Sequence, residues 1–138
     1  VSYLHPGTGK RPMHACSCAK AIAAVSPGLL SHDELSGQLK QYTECTITNR
    51  KDLINELDAI RAKGYAECVE ELERGISSVA TTLGTAGVGS TLSIGATASV
   101  RVFNPSMRVK IGKALTVMSH DLSSALGWDS AHAKKRSA

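Results

Sequence analysis

The sequence predicts an α+β domain, and three observations in its 138 residues carry that prediction. Alanine-rich and amphipathic helical patterns fill the first half, three short strand-like segments follow, and one long helical pattern closes the chain. A chain of this length suits a single compact domain, in which folding buries roughly 68% of the surface that the unfolded chain exposes. A core of that extent needs no disulfide or metal framework. The four cysteines, Cys16, Cys18, Cys45 and Cys68, are therefore optional for stability.

Each element has a local reason. Residues 1–5 alternate weakly before Pro6, Gly7 and Gly9, which predicts a short strand and then a turn. Residues 13–25, MHACSCAKAIAAV, are rich in alanine, the best helix former, and Pro27 with Gly28 ends the pattern. Ser31 and Glu34 make a Ser-x-x-Glu capping box, with Leu30 and Leu35 at staple positions, so a second helix is expected over 32–39. Residues 42–48, YTECTIT, read as an extended connection into a helix capped by Asn49. There Leu53, Ile54, Leu57 and Ile60 recur at helical spacing, and Gly64 stands where a left-handed cap belongs. Residues 65–69, 76–83 and 91–96 suit strands, separated by Arg74-Gly75 and by a flexible stretch over 84–89. Sequential antiparallel pairing is the economical arrangement. Asn104 and Pro105 open a long helix whose Val109, Leu115, Met118, Leu122 and Leu126 are expected to face a core, with Gly127 closing it. Residues 128–138 read as a mobile basic tail, which leaves 1–127 as the folded domain.

Composition excludes several function classes. Gly, Ser, Thr and charges interrupt every apolar run well short of the roughly 20 residues that cross a bilayer, so a soluble protein with no membrane partner is expected. Irregular cysteine spacing and the lack of a signal segment at the start point to a reducing cytoplasm. The formal charge of +4 owes much to Lys134, Lys135 and Arg136, and aromatic residues are only 4% of the chain. That is too few for base stacking, so direct nucleic-acid binding is disfavoured.

Among short motifs, HPGTGK over 5–10 lacks the four-residue gap and the terminal hydroxyl of a phosphate loop, and it reads as a turn. His14, Cys16, Cys18 and Cys68 are soft ligands that suit zinc or copper if the fold gathers them, the basis of an alternative metal or thiol-redox sensor. The plainer reading is small buried thiols. Catalysis by Cys16 or Cys18 has no oriented third group behind it, so no enzyme is expected, nor any cofactor. Ser77, Ser78, Thr81, Thr91 and Ser93 lie on or beside the strands, where alternation aims some of them inward to bind a carboxylate or carbonyl, or else outward to water. Glu67, Glu70, Glu71 and Glu73 read as a solvated edge.

Taken in order, PMHACSCAKAIAAV, YTECTITNRKDLINELDAIRAKGYAECVEELERGISSVATTL, LSIGATASV and a final helix ending in Leu-Gly resemble the effector-binding domain of the IclR family of bacterial transcription regulators. The resemblance implies a GAF-like, profilin-like antiparallel sheet flanked by helices, cupping a small effector on one face. It also implies that a winged helix-turn-helix, its linker helix, and the first strands and helix of the effector domain lie outside this chain. DNA would be met only through that winged domain, and homodimers or homotetramers are the expected assemblies. Carried over position by position, the resemblance places the effector's carboxylate at the loop and helix start formed by Cys16, Ser17 and Cys18. Ile76 becomes an apolar wall, Ser78 a polar contact and Ser93 the first hydroxyl of a Ser-x-Ser pair. Two positions depart from the family pattern: Cys68 stands where an acidic residue is usual, and Gly95 replaces the second serine. A small organic acid or an aldehyde, longer or less polar than glyoxylate or pyruvate, is the effector class implied.

Overall fold

The computed structural model describes residues 10–84 and 91–128. The strand expected over 1–5, most of the stretch over 84–89 and the tail from 129 onward lie outside the described residues. Helix α1 (Ser17–Val25) leads through a 3₁₀ turn (Pro27–Ser31) and the short α2 (Asp33–Ser36) to α3 (Arg50–Lys63). Strands β1 (Ala66–Val69), β2 (Ile76–Leu83) and β3 (Leu92–Ser99) follow, and α4 (Pro105–Ala125) ends the fold. The strands form one antiparallel sheet in the order β1-β2-β3. Two neighbouring cores result, one on each face of this sheet. Ala21, Ala24, Leu53, Leu57 and Ile60 pack with Ala66 and Ala80 beneath α1 and α3, while Tyr65, Val79, Phe103 and Leu115 pack beneath α4. The α+β order and sequential pairing expected from the sequence are those of the molecule.

Caps explain the element boundaries. The Asn49 side chain accepts from Asp52 N and Gly64 takes φ +87°, so α3 starts and stops as its sequence predicts. Asn104 likewise accepts from Met107 N at the start of α4. Elsewhere the boundaries move. Helix α1 starts at Ser17 rather than residue 13, because the preceding segment is held away from helix by His14, whose Nε2 hydrogen-bonds the Lys40 carbonyl at 2.8 Å. The expected capping box does not form. Ser31 ends the 3₁₀ turn and donates to Gly28 O, and His32 caps α2 instead, its Nδ1 accepting from Glu34 N. Residues 42–46 are bends and turns rather than extended chain, since Thr46 Oγ1 accepts from Tyr42 N and Thr43 N and donates to the Glu71 carbonyl. Hydroxyls that favour strands on average are used here to bond backbone.

Two expectations about burial are corrected. In α4 the inward face is Gly112, Leu115, Ser119 and Ser123, whereas Val109, Met118, Leu122 and Leu126 are exposed. Small residues let the helix lie close to the sheet, and the hydroxyls bond β2 and its end: Ser119 donates to Thr82 O, and Ser123 accepts from Gly84 N at 2.9 Å. Of the acidic string expected to form a solvated edge, only Glu73 is exposed. Glu71 is buried and holds the ammonium of the wholly buried Lys20 at 2.8 Å, with Glu56 on the same nitrogen at 3.0 Å. Glu67 pairs with Arg108, and the Glu70 carboxylate accepts from Gly75 N. Arg108 of α4 and Lys20 of α1 reach Glu67 and Glu71 only through the tertiary fold, while Lys63 of α3 is a local partner of Glu67. Among the described residues no helix is long and apolar enough to cross a membrane.

Candidate functional site

Side chains alternate across a sheet, and the register sets Cys68 of β1 beside Ser78 of β2, and Ser78 beside Thr97 of β3. This row faces the start of α1, where Ser17 Oγ donates to Ser78 Oγ at 2.8 Å. Between the row and the helix start lies a cavity of about 340 Å³, at the lower end of the size range of small-molecule sites. Cys16, Ser17, Cys18, Cys68, Ile76 and Ser78 all line it. Arg11, Ala15, Leu72, Glu73 and Thr97 complete the wall. Sequence reasoning missed these five. Thr97 was within its reach, being two residues beyond Gly95 and therefore on the same face of β3. Arg11 and the turn that carries Leu72 and Glu73 arrive only through folding, the turn being pinned by Lys20–Glu71 and by a positive φ at Glu70 and at Gly75.

Ser93 and Gly95 share the face but not the cavity wall. A Cβ at Gly95 would stand 3.0 Å from Cys18 Sγ and 3.0 Å from the Ala80 Cβ, so the glycine is what lets the Cys18 thiol rest on β3. Ser93 neighbours that thiol and favours its ionised form. Cys18 thus closes the space that a hydroxyl at position 95 would otherwise line. Of the other hydroxyls, Thr81 faces α4 and donates to Gly64 O, and Ser77 is buried with no hydrogen-bond partner among the described residues.

The thiols are electrostatically unequal. The Cys16 thiol is lowered to about 6, first by the hydrogen bond from Cys18, then by the Ala19 and Cys18 amides and the Arg11 charge, against the opposing effect of burial. Cys16 is the N-cap residue of α1, where its side chain closes no cap hydrogen bond but the helix start favours a charged sulfur. Cys18, the donor to Cys16, is pushed strongly upward by that bond and by burial. Burial and then Glu71 raise Cys68 to about 11, and its Sγ donates to Ala15 O at 3.1 Å. His14 belongs elsewhere: it lines a second cavity with Lys40 and Tyr42. The four-ligand metal set is therefore not assembled, and among the described residues no group of three or more His, Cys, Asp or Glu is placed to hold a metal ion.

Comparison with known proteins adds an independent line. Residues 3–124 match the model of the family described as "Bacterial transcriptional regulator IclR C-terminal". The chain is 35% identical over 71 residues to the glycerol operon regulatory protein of Streptomyces coelicolor, covering 51% of this chain and 27% of that one. It is similar to the crystal structure of the Agobacterium tumefaciens repressor BlcR, with a TM-score of 0.74 and 19% identity, over 85% of this chain and 48% of the repressor. A third relative is a double mutant of the inducer-binding domain of the Acinetobacter transcription factor PobR in complex with 3-hydroxybenzoic acid. The TM-score there is 0.61 at 20% identity, over 88% of this chain and 73% of that domain. The chain spans about a quarter of the curated relative's length and about half of the repressor's.

Proposed function

Because the chain belongs to the IclR family of bacterial transcriptional regulators, as the C-terminal domain, we propose that its cavity binds a small organic acid or carbonyl effector. Occupancy would govern DNA binding by a winged helix-turn-helix elsewhere in the parent protein. The observation that carries this reading is the cavity itself: about 340 Å³ where α1 begins, with Arg11 at its wall and the Ser17–Ser78 hydroxyl pair inside. A guanidinium and helix-start amides suit a carboxylate, while Ala15, Leu72 and Ile76 suit a short apolar body. Cys16, Ser17, Cys18, Cys68, Ile76 and Ser78 are the proposed contacts, with Ser93 and Gly95 acting through the position of Cys18. The 3-hydroxybenzoic acid held by the PobR domain supports the ligand class.

In this reading the domain is a non-catalytic sensor in a cytoplasmic homodimer or homotetramer. The effector regulates only if it binds one arrangement of the assembly better than another, since equal affinity shifts nothing. Thermal unfolding against small carboxylates, aldehydes and aromatic acids tests it, because a ligand of the folded state raises the melting temperature. The expected result is a shift with an acid of this size that is reduced in Ser78→Ala. A shift that Ser78→Ala leaves intact removes the cavity from the reading.

A further inference from the structure

Three of the chain's four cysteines line the one cavity assigned to the effector, although an acid held by hydrogen bonds alone requires no thiol. Their situations differ. Cys68 donates a hydrogen bond to the Ala15 carbonyl, and burial keeps it a thiol. Cys18 is wedged against Gly95 and Ala80, and the neighbouring Cys16 and burial keep it protonated. Cys16 is half-buried at the open end of α1, faces the cavity, and has the Arg11 charge nearby. A thiol at a helix start, on a cavity wall that it shares with a cationic side chain, is a nucleophile in waiting.

We propose that Cys16 captures an aldehyde reversibly, so that the cavity holds its ligand as a hemithioacetal. This rests on the effector-binding reading of the same cavity and narrows the ligand to a carbonyl compound. The Cys16 sulfur gives an electron pair to the carbonyl carbon and a C–S bond forms. The C=O π pair moves to oxygen, which takes up one proton, the equivalent of the one lost by the thiol. Nothing leaves and nothing is oxidised. The Cys16 thiolate is available near neutral pH, its pKa being about 6. Arg11 on the same wall favours an aldehyde that also carries a carboxylate, and Leu72 with Ile76 receives the apolar part between them. Reversibility suits a sensor, because the adduct dissociates when the free aldehyde falls.

The experiment uses two ligands on the 138-residue chain: 4-carboxybenzaldehyde, and 4-(hydroxymethyl)benzoate, the same acid without an electrophilic carbon. Titration is followed by loss of the conjugated carbonyl absorbance and by carbon NMR of aldehyde labelled at its carbonyl. The expected result is aldehyde binding roughly tenfold or more tighter than that of the alcohol, with the labelled carbon leaving the carbonyl region for that of a hemithioacetal. Cys16→Ser should erase the difference in affinity between the two ligands. If Cys16→Ser does not fold, the NMR spectrum of the unaltered protein decides alone. Equal binding of the two ligands, an unchanged carbonyl carbon, or an adduct on Cys45 or on a lysine overturns thiol addition and leaves acid binding standing. Failure of both ligands to bind overturns both readings.

Discussion

The Cys16 thiol illustrates how one residue acquires a chemical character that its identity does not carry. Its ordinary value of 9.0 falls to about 6 through the Cys18 donor, with the α1 amides and Arg11 adding to it. A lowered pKa places the thiolate in the majority above that pH. Alkylation of Cys16 by iodoacetamide, followed by peptide mapping, should therefore rise with pH and reach half its maximum at about 6. Removing the donor in Cys18→Ala should move that midpoint upward, towards 9.0; a midpoint unmoved by the substitution would show that Cys18 is not the cause. At this scale the sequence singled out six of the residues that line the cavity. Ser93 and Gly95 were legible as residues of the right face but not as partners of Cys18, because the 3.0 Å approach of Sγ to the Gly95 Cβ position depends on how far α1 descends onto β3.

Elements whose stops and starts are written in local chemistry were read closely, and α3 between Asn49 and Gly64 is the clearest case. Helix α4 shows the opposite. Its ends follow from Asn104, Pro105 and Gly127, yet its orientation does not follow from its apolar residues, because Gly112, Ser119 and Ser123 face inward while Met118 and Leu126 face out. The determinant is close packing. A Cβ at Gly112 would stand 2.5 Å from the Tyr65 ring, far inside contact distance. Gly112→Ala gains up to ~1 kcal/mol in helix propensity but forces the ring or the helix to move, at a cost of about 1–3 kcal/mol. The expected net outcome in urea unfolding is a lower midpoint. The double variant Gly112→Ala, Tyr65→Ala should relieve that clash, so its loss should be smaller than the sum of the two single losses.

At the scale of the whole molecule, Lys20 joins α1 to α3 through Glu56 and to the turn after β1 through Glu71. Burial pulls the ammonium's pKa down, but the two carboxylates outweigh it and hold the pKa above the ordinary lysine value. Lys20→Met leaves Glu71 buried beside no cation, which should cost about 3 kcal/mol or more in denaturant unfolding. Lys20→Met combined with Glu71→Leu should recover much of that loss, and failure to recover would show that the pair contributes more than mutual neutralisation. Because the turn held by Glu71 carries Leu72 and Glu73 into the cavity wall, the single variant should also weaken ligand binding. The ordered motifs, the caps and the strand alternation of this chain determined its family, its α+β order and the face of the sheet that meets α1, since these depend on neighbours close in sequence. The tertiary structure alone decided that His14 stands apart from the cysteines, that Arg11 and the turn after β1 close the cavity, and that Glu71 meets Lys20 and Glu67 meets Arg108. Those outcomes depend on contacts between residues far apart in the chain, whose distances no local pattern encodes.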